Sequence, residues 1–179
     1  VGAFLLPRFF GLPNRQNFPE SLTLSPEWKR RASFALACGA LVLASFALEA
    51  LGLFRTGYGL RAGAVVLFFY HELPLHQAKA IPGSLALGLK IALASIPLGY
   101  ALMTIFPNHA LTFLHVVFIS GFSLMVFIVA SRVIFGHSGQ MGKFQASIWP
   151  VFILFTLLPL AMLTRVSSDW MPNVRFDHY

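Results

Sequence analysis

The residues able to do chemistry in this 179-residue chain are a handful of histidines and acids set among apolar residues. Imidazole is a good ligand for transition metals. The single cysteine, Cys38, excludes an internal disulfide and any metal site built from several cysteines. We find no carboxylate pair, Ser-His-Asp arrangement, phosphate-binding loop or dinucleotide fingerprint. Histidine is therefore the side chain on which a function would depend.

The composition places these histidines in a membrane. The chain is 57% hydrophobic and 11% charged, with a mean hydropathy of +0.74, whereas soluble domains carry about 25% charge. The net charge is +7, but no basic run interleaves with aromatic residues, which argues against nucleic acid as a partner. The positive residues lie between apolar blocks, as in membrane proteins.

The lengths of the apolar blocks predict helices, because a bilayer requires about 20 apolar residues per helix. Barrel strands would instead alternate in polarity over about 10 residues. We predict an all-α, polytopic transmembrane bundle with about five full spans and a partial N-terminal helix. The predicted spans are residues 32–53, 60–75, 83–106, 110–135 and 147–165.

The chain is predicted to consist of three regions. Residues 1–31 are predicted to form the end of a preceding helix and a cytoplasmic linker, and residues 32–166 the five-span domain. Residues 167–179 are predicted to be a polar tail. Because the chain begins with Val1 and its first apolar stretch is short, we expect a fragment or one subunit of a split protein.

Orientation follows from lysine and arginine, which collect in cytoplasmic loops. Five crossings place eight of these residues on one side and four on the other. The richer side contains Arg8, Arg15, Lys29, Arg30, Arg31, Lys79, Arg132 and Lys143. Residues 14–29 and 136–143 are therefore predicted to be cytoplasmic.

This topology sorts the polar residues into two groups. The outer group is Glu49, His109 and His115, and the inner group is His71, Glu72, His76 and His137. His115 and His137 lie 22 residues apart on one predicted helix, or about 33 Å at about 1.5 Å per residue, so they cannot share a metal ion.

Each candidate also has a structural interpretation. A histidine inside a span is a functional candidate, but His115 could instead bond a neighbouring helix, with Glu49 or Tyr100 as its partner. His137 could be a solvated helix end, and Arg132 an interfacial anchor. Glu49 could make a structural hydrogen bond, and Lys90 could extend to the headgroups.

Two segments of the fourth span resemble the signature of the NnrS family. Residues 114–122 read LHVVFISGF and residues 131–139 read SRVIFGHSG. Residues 5–10, LLPRFF, are similar to the segment that joins the two halves of the family's members. The resemblance extends over the C-terminal half of such proteins, and Gln140 stands where the family pattern has arginine.

The resemblance implies a bacterial inner-membrane protein associated with haem and copper and with the response to nitric oxide. On this basis His115 and His137 are the expected metal ligands, and His115, Arg132 and His137 the cofactor-binding residues. Expected partners are the bilayer and a missing N-terminal half or another membrane subunit. Two alternatives stay open: a transporter or channel using Glu49, Lys90 and proline-broken helices, and a structural subunit without cofactor. The sequence does not decide whether the chain is an enzyme.

Overall fold

A computed structural model describes residues 25–73, 84–139 and 149–168. Within these residues every element of regular structure is helical, which confirms the predicted all-α class. The chain divides into two compact units, Val1–Ile81 and Pro82–Tyr179. The predicted partial helix at the N-terminus, residues 5–10 and residues 169–179 of the predicted polar tail lie outside the described residues.

The first described element of the first unit is α1, Pro26–Ala50. Its start is well defined, because the Ser25 side chain accepts a hydrogen bond from the Trp28 amide and Pro26 occupies the first helical position, where its missing N–H costs nothing. The helix therefore starts six residues before the predicted span, within the region assigned to the linker. Capping residues set this boundary, whereas hydropathy marks only the apolar part.

A tight turn joins α1 to α2, Phe54–Glu72. Gly52 has φ of +80°, a left-handed conformation that glycine adopts without strain. Its amide bonds the Glu49 carbonyl and the Leu53 amide bonds the Leu48 carbonyl, each at 2.9 Å. This is a Schellman motif, and it satisfies the last carbonyls of α1 within three residues, so that α1 and α2 form a hairpin.

The second unit contains α3, Ser84–Ile105, followed by a 3-10 turn, Pro107–His109. The chain then continues without interruption through α4, Ala110–His115, a π-helix, Val116–Ser123, and α5, Leu124–His137. The last described element is α6, Trp149–Ser168. The predicted fourth span is thus one continuous helical rod, but with a π-helical middle.

Close packing holds the π-helix against α3. A Cβ on Gly99 would lie 3.1 Å from the Phe113 carbonyl oxygen and 3.2 Å from the Val117 amide. One on Gly121 would lie 2.6 Å from Ile96 Cγ1. Small residues of this kind let membrane helices approach closely. Close packing of the two helices therefore explains why both positions are glycine.

Three helices in the described residues are long and apolar enough to cross a membrane: Pro26–Ala50, Leu85–Ile105 and Pro107–Phe135. These correspond to the first, third and fourth predicted spans, and the polytopic membrane fold is confirmed. The predicted count of five is not confirmed within the described residues. The second span, now α2, carries Arg55, Arg61 and Glu72 in 19 residues. The fifth corresponds to α6, whose apolar stretch Phe152–Ser168 is shorter than the other three.

Candidate functional site

His115 ends α4 at the point where the π-helix begins. Its side chain is half-buried, and Nδ1 lies 2.8 Å from the carbonyl oxygen of Leu111, one turn earlier. A carbonyl only accepts, so Nδ1 carries a proton, and in the neutral ring Nε2 then keeps its lone pair. Metal-ligating histidines commonly have this arrangement, in which one ring nitrogen is fixed by a hydrogen bond and the other is available.

The π-helix that follows His115 is eight residues long. Helices of this type are rare and occur mostly as single turns, frequently at functional sites. Val116, Val117, Ser120 and Gly121 are the buried residues of this segment. Ser120 Oγ has no hydrogen-bond partner among the described atoms. The segment next to His115 is therefore both unusual in backbone and polar at one buried position.

Glu49 was one of the predicted partners of His115, but the structure pairs it with Arg61. Arg61 Nη2 donates to Glu49 Oε1, joining the end of α1 to the first half of α2. The interpretation of Glu49 as a structural hydrogen-bonding residue agrees with this pair.

Arg61 makes two further contacts that complete a network. Its Nε donates to Ser45 Oγ at 3.0 Å, and Ser45 Oγ in turn donates to the Val42 carbonyl. Its guanidinium carbon lies 3.8 Å above the centre of the Phe46 ring. Arg61 is only 4% exposed. The network is thus held inside the hairpin, with each charged group partnered.

Close backbone approach makes this network possible. A Cβ on Gly57 would lie 2.8 Å from the Ser45 carbonyl oxygen and 3.0 Å from Glu49 Cγ. A residue with a side chain would separate α1 from α2 at the level of the ion pair. The glycine, one turn before Arg61 on α2, brings the guanidinium within reach of Glu49.

Arg132 and His137 lie on α5, away from His115. Arg132 is half-buried and makes interactions within the protein, while His137 is exposed at the end of the helix. Arg132 is 17 residues beyond His115, or about 25 Å along a helix, but only five before His137. The rod therefore separates His115 from the other two predicted residues.

The residues predicted to form the inner group are divided between the two units. His71 and Glu72 end α2 in the first unit, where the His71 ring meets the Phe34 ring with centroids 4.9 Å apart. Glu72 is 3% exposed, and its Oε2 has no hydrogen-bond partner among the described atoms. His137 ends α5 in the second unit, and His76 lies outside the described residues.

Comparison with known proteins identifies the family of this chain. The model of the family described as NnrS protein matches residues 14–177, nearly the whole chain. The chain belongs to the NnrS family. No curated protein and no solved structure matches it significantly. The resemblance of residues 114–122 and 131–139 to the NnrS signature is confirmed by this match, and Gln140 lies outside the described residues.

This NnrS protein does not gather its candidate ligands into one chelating cluster within the described residues. No group of three or more His, Cys, Asp or Glu side chains that could hold a metal ion is found there. His115 offers a single nitrogen, and imidazole is a ligand that haem iron accepts. The described donors could therefore contribute one histidine to a haem iron, but among them there is no chelating set for copper.

Two functional features were missed from sequence. The Arg61–Glu49 pair could have been suspected, because opposite charges flank a short turn between two apolar helices. Arg61 was instead counted only as one of the four positive residues on the side of the membrane with fewer charges. The bond from His115 to Leu111 is invisible to residue types, since any residue supplies a carbonyl four positions earlier.

Proposed function

We propose that this membrane protein acts in the response to nitric oxide or nitrosative stress and that His115 holds a haem. The single observation that carries the proposal is the His115 ring, with Nδ1 fixed by Leu111 and Nε2 available as a ligand. Membership of the NnrS family supports the same reading. Copper is proposed only with ligands from outside the described residues.

The residues of the chain would do two things for such a group. Leu111 fixes the tautomer and the direction of the His115 ring, which raises the basicity of a ligating imidazole. The apolar rod keeps water away from the ligand. Arg132, about 25 Å along the rod from His115, is too far away to hold a propionate of the same haem. A haem held by His115 would supply an iron able to bind nitric oxide.

The test is the visible absorption spectrum and metal content of purified full-length protein and of its His115→Gln variant. Glutamine keeps hydrogen-bonding capacity in a similar volume but is a poor ligand for haem iron. We expect the variant to insert and remain monodisperse but to lose the haem absorption. His109→Gln is the matched control, because it makes the same change six residues earlier and should keep the cofactor.

A His115→Gln protein that is monodisperse and holds metal at wild-type stoichiometry would rule His115 out as an essential ligand. If wild-type protein and both variants carry no cofactor, the structural-subunit alternative is favoured. The transport alternative has lost one of its residues, because Glu49 is occupied by Arg61. It still has Lys90 and the helices with an internal proline, α3 with Pro97 and α6 with Pro159, and substrate uptake in proteoliposomes would test it.

A further inference from the structure

The middle of α1 carries the single cysteine of the chain. Cys38 is the thirteenth of the 25 residues of α1, which is one of the helices long and apolar enough to cross a membrane. Its thiol is free, and the residue is only 6% exposed. A thiol in apolar surroundings is normally inert, because the nucleophile is the thiolate and a base must first take the proton.

A carboxylate lies beside this thiol. Glu72 ends α2 and is 3% exposed, and the charge of its carboxylate acts on the Cys38 thiol. The ring of His71, next to Glu72, meets the ring of Phe34, which lies one turn before Cys38 on the same face of α1. The end of α2 therefore brings a carboxylate to the level of the cysteine, deep in the apolar part of α1.

This carboxylate is not occupied by another group in the described residues. The Oε2 atom of Glu72 has no hydrogen-bond partner there, and the described ion pairs do not include Glu72. Arg61, the buried cation of α2, donates to Glu49 and lies 11 residues before Glu72, about 16 Å along a helix. An ionised carboxylate only accepts hydrogen bonds, so Glu72 has acceptor capacity left for the proton of the thiol.

We propose that Cys38 is a nitrosation site at which Glu72 accepts the thiol proton. The proposal rests on the proposed function, since it requires nitric oxide in the membrane. Nitric oxide and oxygen are uncharged and dissolve in lipid, where they combine to form dinitrogen trioxide. This nitrosating agent is small and uncharged, so it reaches a buried thiol that charged reagents do not.

The reaction is a transfer of a nitroso group to sulfur. The Cys38 sulfur attacks the nitroso nitrogen of dinitrogen trioxide, so that an S–N bond forms while the N–N bond breaks. Nitrite leaves with the electron pair of the broken bond, and the thiol proton passes to the Glu72 carboxylate. Oxygen supplies the oxidising equivalent earlier, when it converts nitric oxide to dinitrogen trioxide. Nitrosation of cysteine is reversible, so the first unit would hold nitric oxide separately from a haem at His115.

The experiment exposes the full chain in phosphatidylcholine vesicles to nitric oxide and oxygen, and follows nitrosation of Cys38 by mass spectrometry. Glu72→Gln keeps the size of the side chain but removes the base. We expect this variant to react about 100-fold more slowly, the low end of what a general base contributes. His115→Gln should react as wild type does, because Cys38 lies in the other unit. The cofactor content of that variant bears on the proposed function and not on Cys38.

The matched control moves the thiol to the adjacent position. Ala37 is exposed, so Ala37→Cys/Cys38→Ser presents a thiol to the same reagent at the same depth, but on the outward face and away from Glu72. The moved thiol should react at the slow rate, and adding Glu72→Gln should not change that rate.

Three results would overturn the proposal. The first is a wild-type rate of nitrosation in Glu72→Gln. The second is a moved thiol that reacts as fast as Cys38, which would indicate that the reagent alone sets the rate. The third is the absence of any nitrosothiol at Cys38. Thermal unfolding checks that Glu72→Gln is folded, and the comparison of the two thiol positions does not depend on that variant.

Discussion

The two units of this protein treat a polar group in an apolar helix in opposite ways. In the first unit, Arg61 finds Glu49, Ser45 and the face of Phe46, so its charge is neutralised within the hairpin. In the second unit, His115 Nδ1 bonds a carbonyl of its own helix, and Nε2 makes no hydrogen bond among the described residues. A closed network is expected to govern stability, whereas a half-satisfied side chain has capacity left for a ligand.

Because of this difference, we expect mutations in the two units to have different effects. Removing a member of the Arg61 network should change folding, because the remaining charge stays buried without its partner. Removing the imidazole of His115 frees one backbone carbonyl that already belongs to a helix. Its substitution should therefore change cofactor content with little effect on folding. The predictions below test this contrast from the largest expected effect to the smallest.

The largest effect is an all-or-none difference in labelling between the two units. Thr56 begins the first turn of α2 and Ser138 follows α5, and both are exposed. The five-span topology places them on opposite sides of the membrane. Cysteines introduced at the two positions should react with an impermeant maleimide from opposite sides in intact vesicles. Cys38 is buried and should give little background.

Reaction of both cysteines from the same side would contradict the five-span topology. The most direct reason would be that α2 does not cross the membrane, since it is outside the set of three helices that are long and apolar enough. The count of crossings between Thr56 and Ser138 would then change by one. The labelling experiment thus decides whether the first unit is a spanning hairpin.

The next effect is on the stability of the first unit. Arg61→Met keeps the length of the side chain but leaves Glu49 without its cation, and breaking a buried pair costs about 3–5 kcal/mol. Glu49 is partly exposed, with 23% of its side-chain surface accessible, so we expect the low end, about 3 kcal/mol. Reversible unfolding in bicelles measures this loss.

The matched control is the double variant Glu49→Gln/Arg61→Met, in which no uncompensated charge remains. It should recover much of the stability, because replacing both members of a buried pair is often close to neutral. If Arg61→Met and the double variant unfold alike, the pair is not coupled and the closed network is the wrong description. His115→Gln in the same assay should remain near wild type.

The sequence predicted the parts of the fold that depend on apolar length. The third predicted span, residues 83–106, and α3, Ser84–Ile105, differ by one residue at each end. The membrane class follows from composition in the same way. Boundaries set by single hydrogen bonds were not predicted: α1 starts where Ser25 caps it, outside the apolar stretch.

The candidate site was predicted only as residue types. His115 was singled out because an imidazole inside an apolar helix requires a partner, and a partner was found. Its identity could not be predicted, because the Leu111 carbonyl is a backbone group available at every position. The π-helix was not predicted for a related reason. Residues 116–123 contain no proline, and their pattern of apolar and small residues is equally compatible with an α-helix.

The smallest effect concerns the glycine on which the ion pair depends. In Gly57→Ala the new methyl group would lie 2.8 Å from the Ser45 carbonyl oxygen and 3.0 Å from Glu49 Cγ. The carbonyl belongs to the α1 backbone and cannot rotate away, so α1 and α2 must separate by a few tenths of an ångström. Overpacking of this kind costs about 1–3 kcal/mol, and we expect the low end because Glu49 Cγ belongs to a side chain that can shift.

Gly63→Ala is the control for this change, because a methyl group there meets nothing within 4 Å. In an exposed helical position alanine is favoured over glycine by up to about 1 kcal/mol, so this variant should be as stable as wild type or more so. The two substitutions are chemically identical and lie six residues apart on α2. Equal stability of the two variants would show that close approach at Gly57 does not hold the hairpin together, and Arg61 would then have to reach Glu49 across a looser contact.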